Sequence, residues 1–91
     1  MILKIKQPES ANNGEPVWVF IDHIKSLTTE EMTRDYAYEQ NFDSYFLGAD
    51  KEPLKVKSLS IHMEDDNWKW VCVEFGYAYV MNDDGKTIER L

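Results

Sequence analysis

Two runs rich in β-branched and aromatic residues, Leu54 to Met63 and Trp68 to Phe75, flank the turn-forming stretch Glu64-Asp65-Asp66-Asn67. That pattern is a β-hairpin, and it constrains the chain more than any other feature. Strand side chains alternate between faces, so the hairpin's register decides what is buried. Pairing Met63 with Trp68 across a four-residue turn sets Ile61 against Trp70 and Leu59 against Cys72, giving one wholly apolar face. The other face then pairs His62 with Lys69, Ser60 with Val71 and Val56 with Phe75. This register predicts that Trp68, Trp70, Leu59 and Ile61 form one buried sheet face and that Cys72 is a small core residue pointing into it.

The rest of the chain also reads mainly as strand. Met1 to Lys6 alternates with period two, and Val17 to Ile21 is β-branched and aromatic. Between them, Pro8 to Pro16 holds two prolines and an Asn-Gly pair, the composition of a loop. Asp22-His23 reads as a corner, after which Ile24 to Leu27 returns to strand. Gly48 to Pro53 is a turn. Tyr77 to Met81 and Lys86 to Leu91 form a further hairpin across Asn82-Asp83-Asp84-Gly85, where Asp-Gly is a strong turn signal.

Thr28 to Leu47 is ambiguous. Thr28-x-x-Glu31 fits a capping box and argues for a helix start. As a helix, the segment mixes Tyr38, Phe42 and Phe46 with Glu31, Asp35, Glu39 and Asp43. As a strand, it separates Tyr36, Tyr38, Phe42 and Phe46 from Asp35, Glu39 and Asp43 by parity. A short helical turn near 29–33 followed by strand from about Asp35 is the expectation, with a helix over 29–41 as the alternative. The fold class is therefore α+β, predominantly antiparallel β, as a meander or small barrel-like sheet with at most one short helix near 29–41. The 91 residues suffice for one domain.

Hydrophobic residues make up 43% of the chain and aromatic residues 13%, which supports a packed core rather than disorder. No apolar run reaches the roughly 18 residues of a membrane span. With Cys72 the single cysteine, no internal disulfide can form, and a reducing, cytoplasmic setting is expected.

The net charge of −7 argues against direct binding to nucleic acid. The acidity is concentrated: residues 30–52 carry seven acids against Arg34 and Lys51. Repeated at alternate strand positions or at i, i+4 on a helix, such acids recur every ~6 Å, near the phosphate spacing of a nucleic-acid strand. The aromatics of the same segment have the composition of interface hot spots. Glu31, Asp35, Tyr36, Tyr38, Glu39, Asp43 and Tyr45 are therefore the expected partner-binding residues. The competing reading is an ordinary solvated face that confers solubility.

Groups for catalysis are sparse. His23 and His62 are the only histidines, and in the proposed register His62 points away from Cys72, which disfavours a nucleophilic pair. No phosphate-binding glycine loop, paired-cysteine motif or His-x-x-x-His spacing occurs. The acids of the two hairpin turns lack the spacing of a calcium loop. No enzyme activity, cofactor or metal is expected.

The opening strand, Asn-Gly turn, second strand and Asp22-His23-Ile24 corner are similar to the start of small bacterial and phage β-domains such as the flagellar FlbD-like proteins. Tyr77 to Leu91 resembles the last hairpin of phage uracil-DNA glycosylase inhibitors, which are acidic nucleic-acid mimics. Neither likeness assigns a residue role. The expected function is a non-enzymatic protein-binding domain; the form considered first is a small phage-type inhibitor whose acidic surface mimics nucleic acid and blocks a protein partner such as a nucleic-acid-binding protein. The alternative is an accessory module of a bacterial system without mimicry.

Overall fold

The computed structural model describes residues 1–7, 17–43, 47 and 55–91. The expected loop over Pro8 to Pro16, the turn over Gly48 to Pro53, and Tyr45 and Phe46 lie outside them. The element order is β1 (Ile2–Gln7), β2 (Val17–Ile21), β3 (Ile24–Thr33), α1 (Arg34–Glu39), β4 (Lys55–Met63), β5 (Trp68–Val73), β6 (Ala78–Met81) and β7 (Thr87–Arg90). All strand pairs are antiparallel, and they build a four-stranded sheet of order β2-β1-β6-β7 and a three-stranded meander β3-β4-β5. The expected class, mainly antiparallel β with one short helix, is what the chain adopts.

Each sheet turns one apolar parity toward the other. Leu3 and Ile5 of β1 and Ala78 and Val80 of β6 join Leu59 and Ile61 of β4 and Val71 and Val73 of β5 in one buried cluster. The chain crosses between sheets at Asp22-His23, where His23 takes a φ of 57°, and returns through Glu74 to Tyr77. At that return Gly76 has a φ of 83° and faces Arg90 so closely that a Cβ would lie 2.9 Å from the guanidinium. Both the backbone and the space therefore call for glycine.

The helix position differs from the expectation. β3 stays paired with β4 from Ile24 through Thr33, so the ladder of backbone hydrogen bonds overrides the Thr28-x-x-Glu31 capping box. The working cap is Thr33, whose hydroxyl accepts from the Tyr36 N–H at 3.2 Å, and Asp35 sits in the first turn, where a carboxylate favours the helix dipole. Tyr36 and Tyr38 are therefore helical rather than extended. The helix ends in a Schellman motif: Asn41 takes a φ of 61°, the Phe42 N–H donates to the Ala37 carbonyl and the Asn41 N–H to the Tyr38 carbonyl.

The β4–β5 register also differs, by one residue. His62 pairs with Trp68, Ser60 with Trp70, Leu59 with Val71 and Ser58 with Cys72. The turn has three residues, not four. Met63 N–H donates to the Asn67 carbonyl, Asp66 N–H donates to the Met63 carbonyl, and Asp66 holds a φ of 67°. This is a type I turn closed by a left-handed residue, a standard three-residue hairpin connection. Leu59 and Ile61 enter the core as expected, but Trp68 and Trp70 fall on the opposite face, 45% and 49% exposed. Cys72 is buried, though on that other face, in a second cluster with Ala37, Leu47 and Val56.

Stability should follow this partition. Ile61→Ala is expected to cost roughly 2–5 kcal/mol, the range for truncating a fully buried aliphatic side chain. Trp68→Ala should cost about 1 kcal/mol or less. Chemical denaturation of both variants measures the difference, and equal losses would contradict the register.

Candidate functional site

The outer face of the three-stranded sheet is only partly covered. Met32 on β3 and Val56 on β4 pair at one end of the meander, and α1 packs over that end through Ala37, the one buried residue of the helix. Alanine permits the close approach of helix to sheet. Alongside, Asp43 forms a one-residue parallel bridge on the free edge of β5: its N–H donates to the Trp70 carbonyl at 2.9 Å, and its carbonyl accepts from the Cys72 N–H at 3.0 Å. Beyond the helix, Trp68 and Trp70 on this face are half exposed.

This part of the face carries a ladder of rings. His62 stacks on Trp68 with centroids 4.5 Å apart and planes 1° apart, and Trp68 lies 6.2 Å from Trp70 at 11°. His62 also meets the Asp66 carboxylate at 3.2 Å, which ties the ladder to the turn. Where ladder meets helix, a cleft of about 440 Å³ is lined by Glu30, Met32, Tyr36, Gln40, Phe42 and Trp70. Glu30 is the one acidic or basic side chain among its described lining residues, and beneath it the buried Ser58 hydroxyl donates to the Glu30 backbone carbonyl at 3.0 Å. Rings, a thioether, an amide and one carboxylate can hold a cationic, partly planar group by stacking and charge together.

The expected partner-binding residues separate on this frame. Asp35, Tyr36, Tyr38 and Glu39 all lie exposed on α1, and Tyr36 reaches the cleft. Arg34 lies over the Tyr38 ring at 5.9 Å. Glu31 pairs with Lys57 on the opposite face of the sheet from Glu30, and its carboxylate meets Lys55 at 3.1 Å. Asp43 sits on the edge of β5 through its backbone N–H and carbonyl. Tyr45 lies outside the described residues. The regular row of acids along one strand does not form: Glu31 and Asp43 leave it, while Asp35 and Glu39 remain one helical turn apart.

Glu30, Met32, Gln40, Trp68 and Trp70 were not among the expected site residues. One signal for the tryptophans was present: Ser58, Ser60 and His62 form the polar parity of β4, and a three-residue turn pairs that parity with Trp68 and Trp70.

Neither histidine lines the cleft; His23 lies at the sheet crossing, 3.4 Å from Glu64. Among the described residues no cluster of three or more His, Cys, Asp or Glu forms a metal site, and no helix is long and apolar enough to cross a membrane. Comparison with family models, curated proteins and solved structures finds no match for this chain.

Cys72 is chemically quiet. Burial first, and the nearby Asp43 carboxylate second, push its thiol up to about 11 from the ordinary 9.0. The folded state thus resists a deprotonation that the unfolded chain allows. The resulting stability should be fully present below pH 9 and lost as pH rises through about 11. Denaturation of wild type and Cys72→Ala between pH 8 and 11 measures this; the two should converge toward the alkaline end, and parallel curves would contradict it.

Proposed function

We propose that this chain is a non-enzymatic binding domain that takes a basic segment of a partner protein onto the outer face of β3-β4-β5. The observation that carries the reading is Trp68 and Trp70 standing half exposed beside a cleft in which Glu30 is the one charged side chain among the described lining residues. A chain of this size has few large apolar side chains to spare from its core. Tryptophan is also the residue most enriched at interface hot spots. An arginine is the best-suited occupant: its guanidinium stacks on a ring and meets a carboxylate through a planar fork. Asp35 and Glu39 at the rim would add electrostatic steering, which acts mainly on association rate. Those two acids, about 6 Å apart along the helix, are what supports charge mimicry of nucleic acid, and they would act as the periphery of the cleft.

A hexa-arginine peptide titrated into the protein tests this, with the tryptophan indole N–H resonances as readout. Trp68 and Trp70 should move and Trp18 should not. Trp70→Ala or Glu30→Gln should weaken binding about tenfold, while Asp35→Lys with Glu39→Lys should slow association and flatten its salt dependence. Shifts spread evenly over the acidic surface, with no effect of Trp70→Ala, would overturn the reading.

A further inference from the structure

The outer face of the other sheet has the opposite character. β1 places Lys4 and Lys6 on it, between Trp18 and Phe20 of β2 on one side and Tyr79 of β6 on the other. One cross-strand row reads Phe20, Lys4, Tyr79, Arg90, an alternation of ring and cation across all four strands. The next row pairs Trp18 with Lys6. Lys4 Nζ lies 4.1 Å from the centre of the Trp18 ring, and Arg90 lies 5.6 Å from that of Tyr79. Trp18 and Phe20 are nonetheless 39% and 58% exposed. By register, no carboxylate shares this face among the described residues. Glu89 is paired with inward-facing Val80, and Asp83 at the nearest turn meets the N-terminal ammonium at 3.1 Å.

We propose that this face binds single-stranded nucleic acid. Its two chemistries match the two that alternate along such a strand. Exposed rings accept stacked bases and the cations between them accept phosphates, the combination that single-strand binding surfaces use. Among the described residues, no ion pair joins these cations to a carboxylate. Each cation rests on a ring, which orders the side chain; Arg90 also gives its Nε–H to the Gly76 carbonyl at 3.1 Å, so its Nη groups are the donors that remain for a phosphate. The negative total charge does not oppose this locally. The acids around α1 lie beyond the other sheet, across a spacing of about 10 Å between packed sheets, and the screening length is about 8 Å at physiological salt. Interstrand spacing is about 4.8 Å, so rings in one row stand roughly 10 Å apart with a cation between them. That geometry suits a flexible strand and not the fixed stacking of a duplex. The surface is separate from the cleft of β3-β4-β5, so either reading can fail without the other.

The test is fluorescence anisotropy of a labelled twelve-residue oligothymidylate against the full-length protein, from 25 to 200 mM salt. Saturable binding is expected, with a log–log salt slope near −2, since three cations at about 0.7 each set the limit for a single strand. Lys4→Glu with Lys6→Glu should abolish binding. Trp18→Ala should weaken it about tenfold, and Trp70→Ala should leave it unchanged. In the unmutated protein the Trp18 indole resonance should shift alone among the three tryptophans, so the proposal does not depend on the folding of a variant. Absence of saturable binding at 25 mM salt would overturn it. So would binding indifferent to the Lys4 and Lys6 reversals, or a hexa-glutamate peptide binding this face more tightly than the oligonucleotide.

Discussion

Asp66 holds a left-handed backbone at φ 67°, and the sidedness of the three-stranded sheet depends on it. With Asp66 in that conformation, Glu64 to Asp66 close a three-residue turn and Met63 faces Asn67. Every pair further along β4 and β5 is then set. Leu59 meets Val71 inside the core, while Ser60 meets Trp70 outside it. Aspartate tolerates this conformation better than most non-glycine residues. Here it is also held from outside the turn, by Lys25 at 3.3 Å and His62 at 3.2 Å. Asp65 braces the same turn by accepting from the Asn67 backbone and side chain, which holds its carboxyl below the usual range.

Much of this was legible in the sequence, and the failures share a cause. Strand and hairpin positions followed from period-two alternation and turn residues. The core parity of β4, with Leu59 and Ile61 inside, followed as well. The hairpin across Asn82-Asp83-Asp84-Gly85 was legible because glycine marks the left-handed position, here φ 80°, although that turn closes in three residues, Asp83 to Gly85, and not in four. The turn at Glu64-Asp65-Asp66 was overestimated by one residue in the same way, and there the slip placed both tryptophans in the core. An apolar-with-apolar pairing rule reinforced the error, because it assumes that large rings are buried. The capping box at Thr28 was a sound local signal that lost to a cross-strand ladder reaching Thr33. The Asn41 helix end could have been found from its side chain alone.

The candidate sites were less legible than the fold because each is made by strands that meet only after folding. Segment charge pointed to residues 30–52, where Tyr36 does reach the cleft, but it grouped Glu30 and Glu31 although strand parity sends them to opposite faces. It also averaged away the basic face of the four-stranded sheet, whose Lys4, Lys6 and Arg90 come from the two ends of the chain. A total of −7 is compatible with two outer faces of opposite character, since the shared core keeps them apart.

The central claim is the one-residue register that turns Trp68 and Trp70 outward. Trp70 and Cys72 direct their backbone groups to Asp43, away from β4. Their pairs with Ser60 and Ser58 are therefore of the non-hydrogen-bonded kind, with Cα atoms about 4.5 Å apart and Hα atoms facing one another. A nuclear Overhauser spectrum of the folded protein reads this directly. The account predicts strong Hα–Hα cross-peaks from Trp70 to Ser60 and from Cys72 to Ser58. Cross-peaks from Trp70 to Ile61 and from Cys72 to Leu59 in their place would put both tryptophans in the core and contradict it.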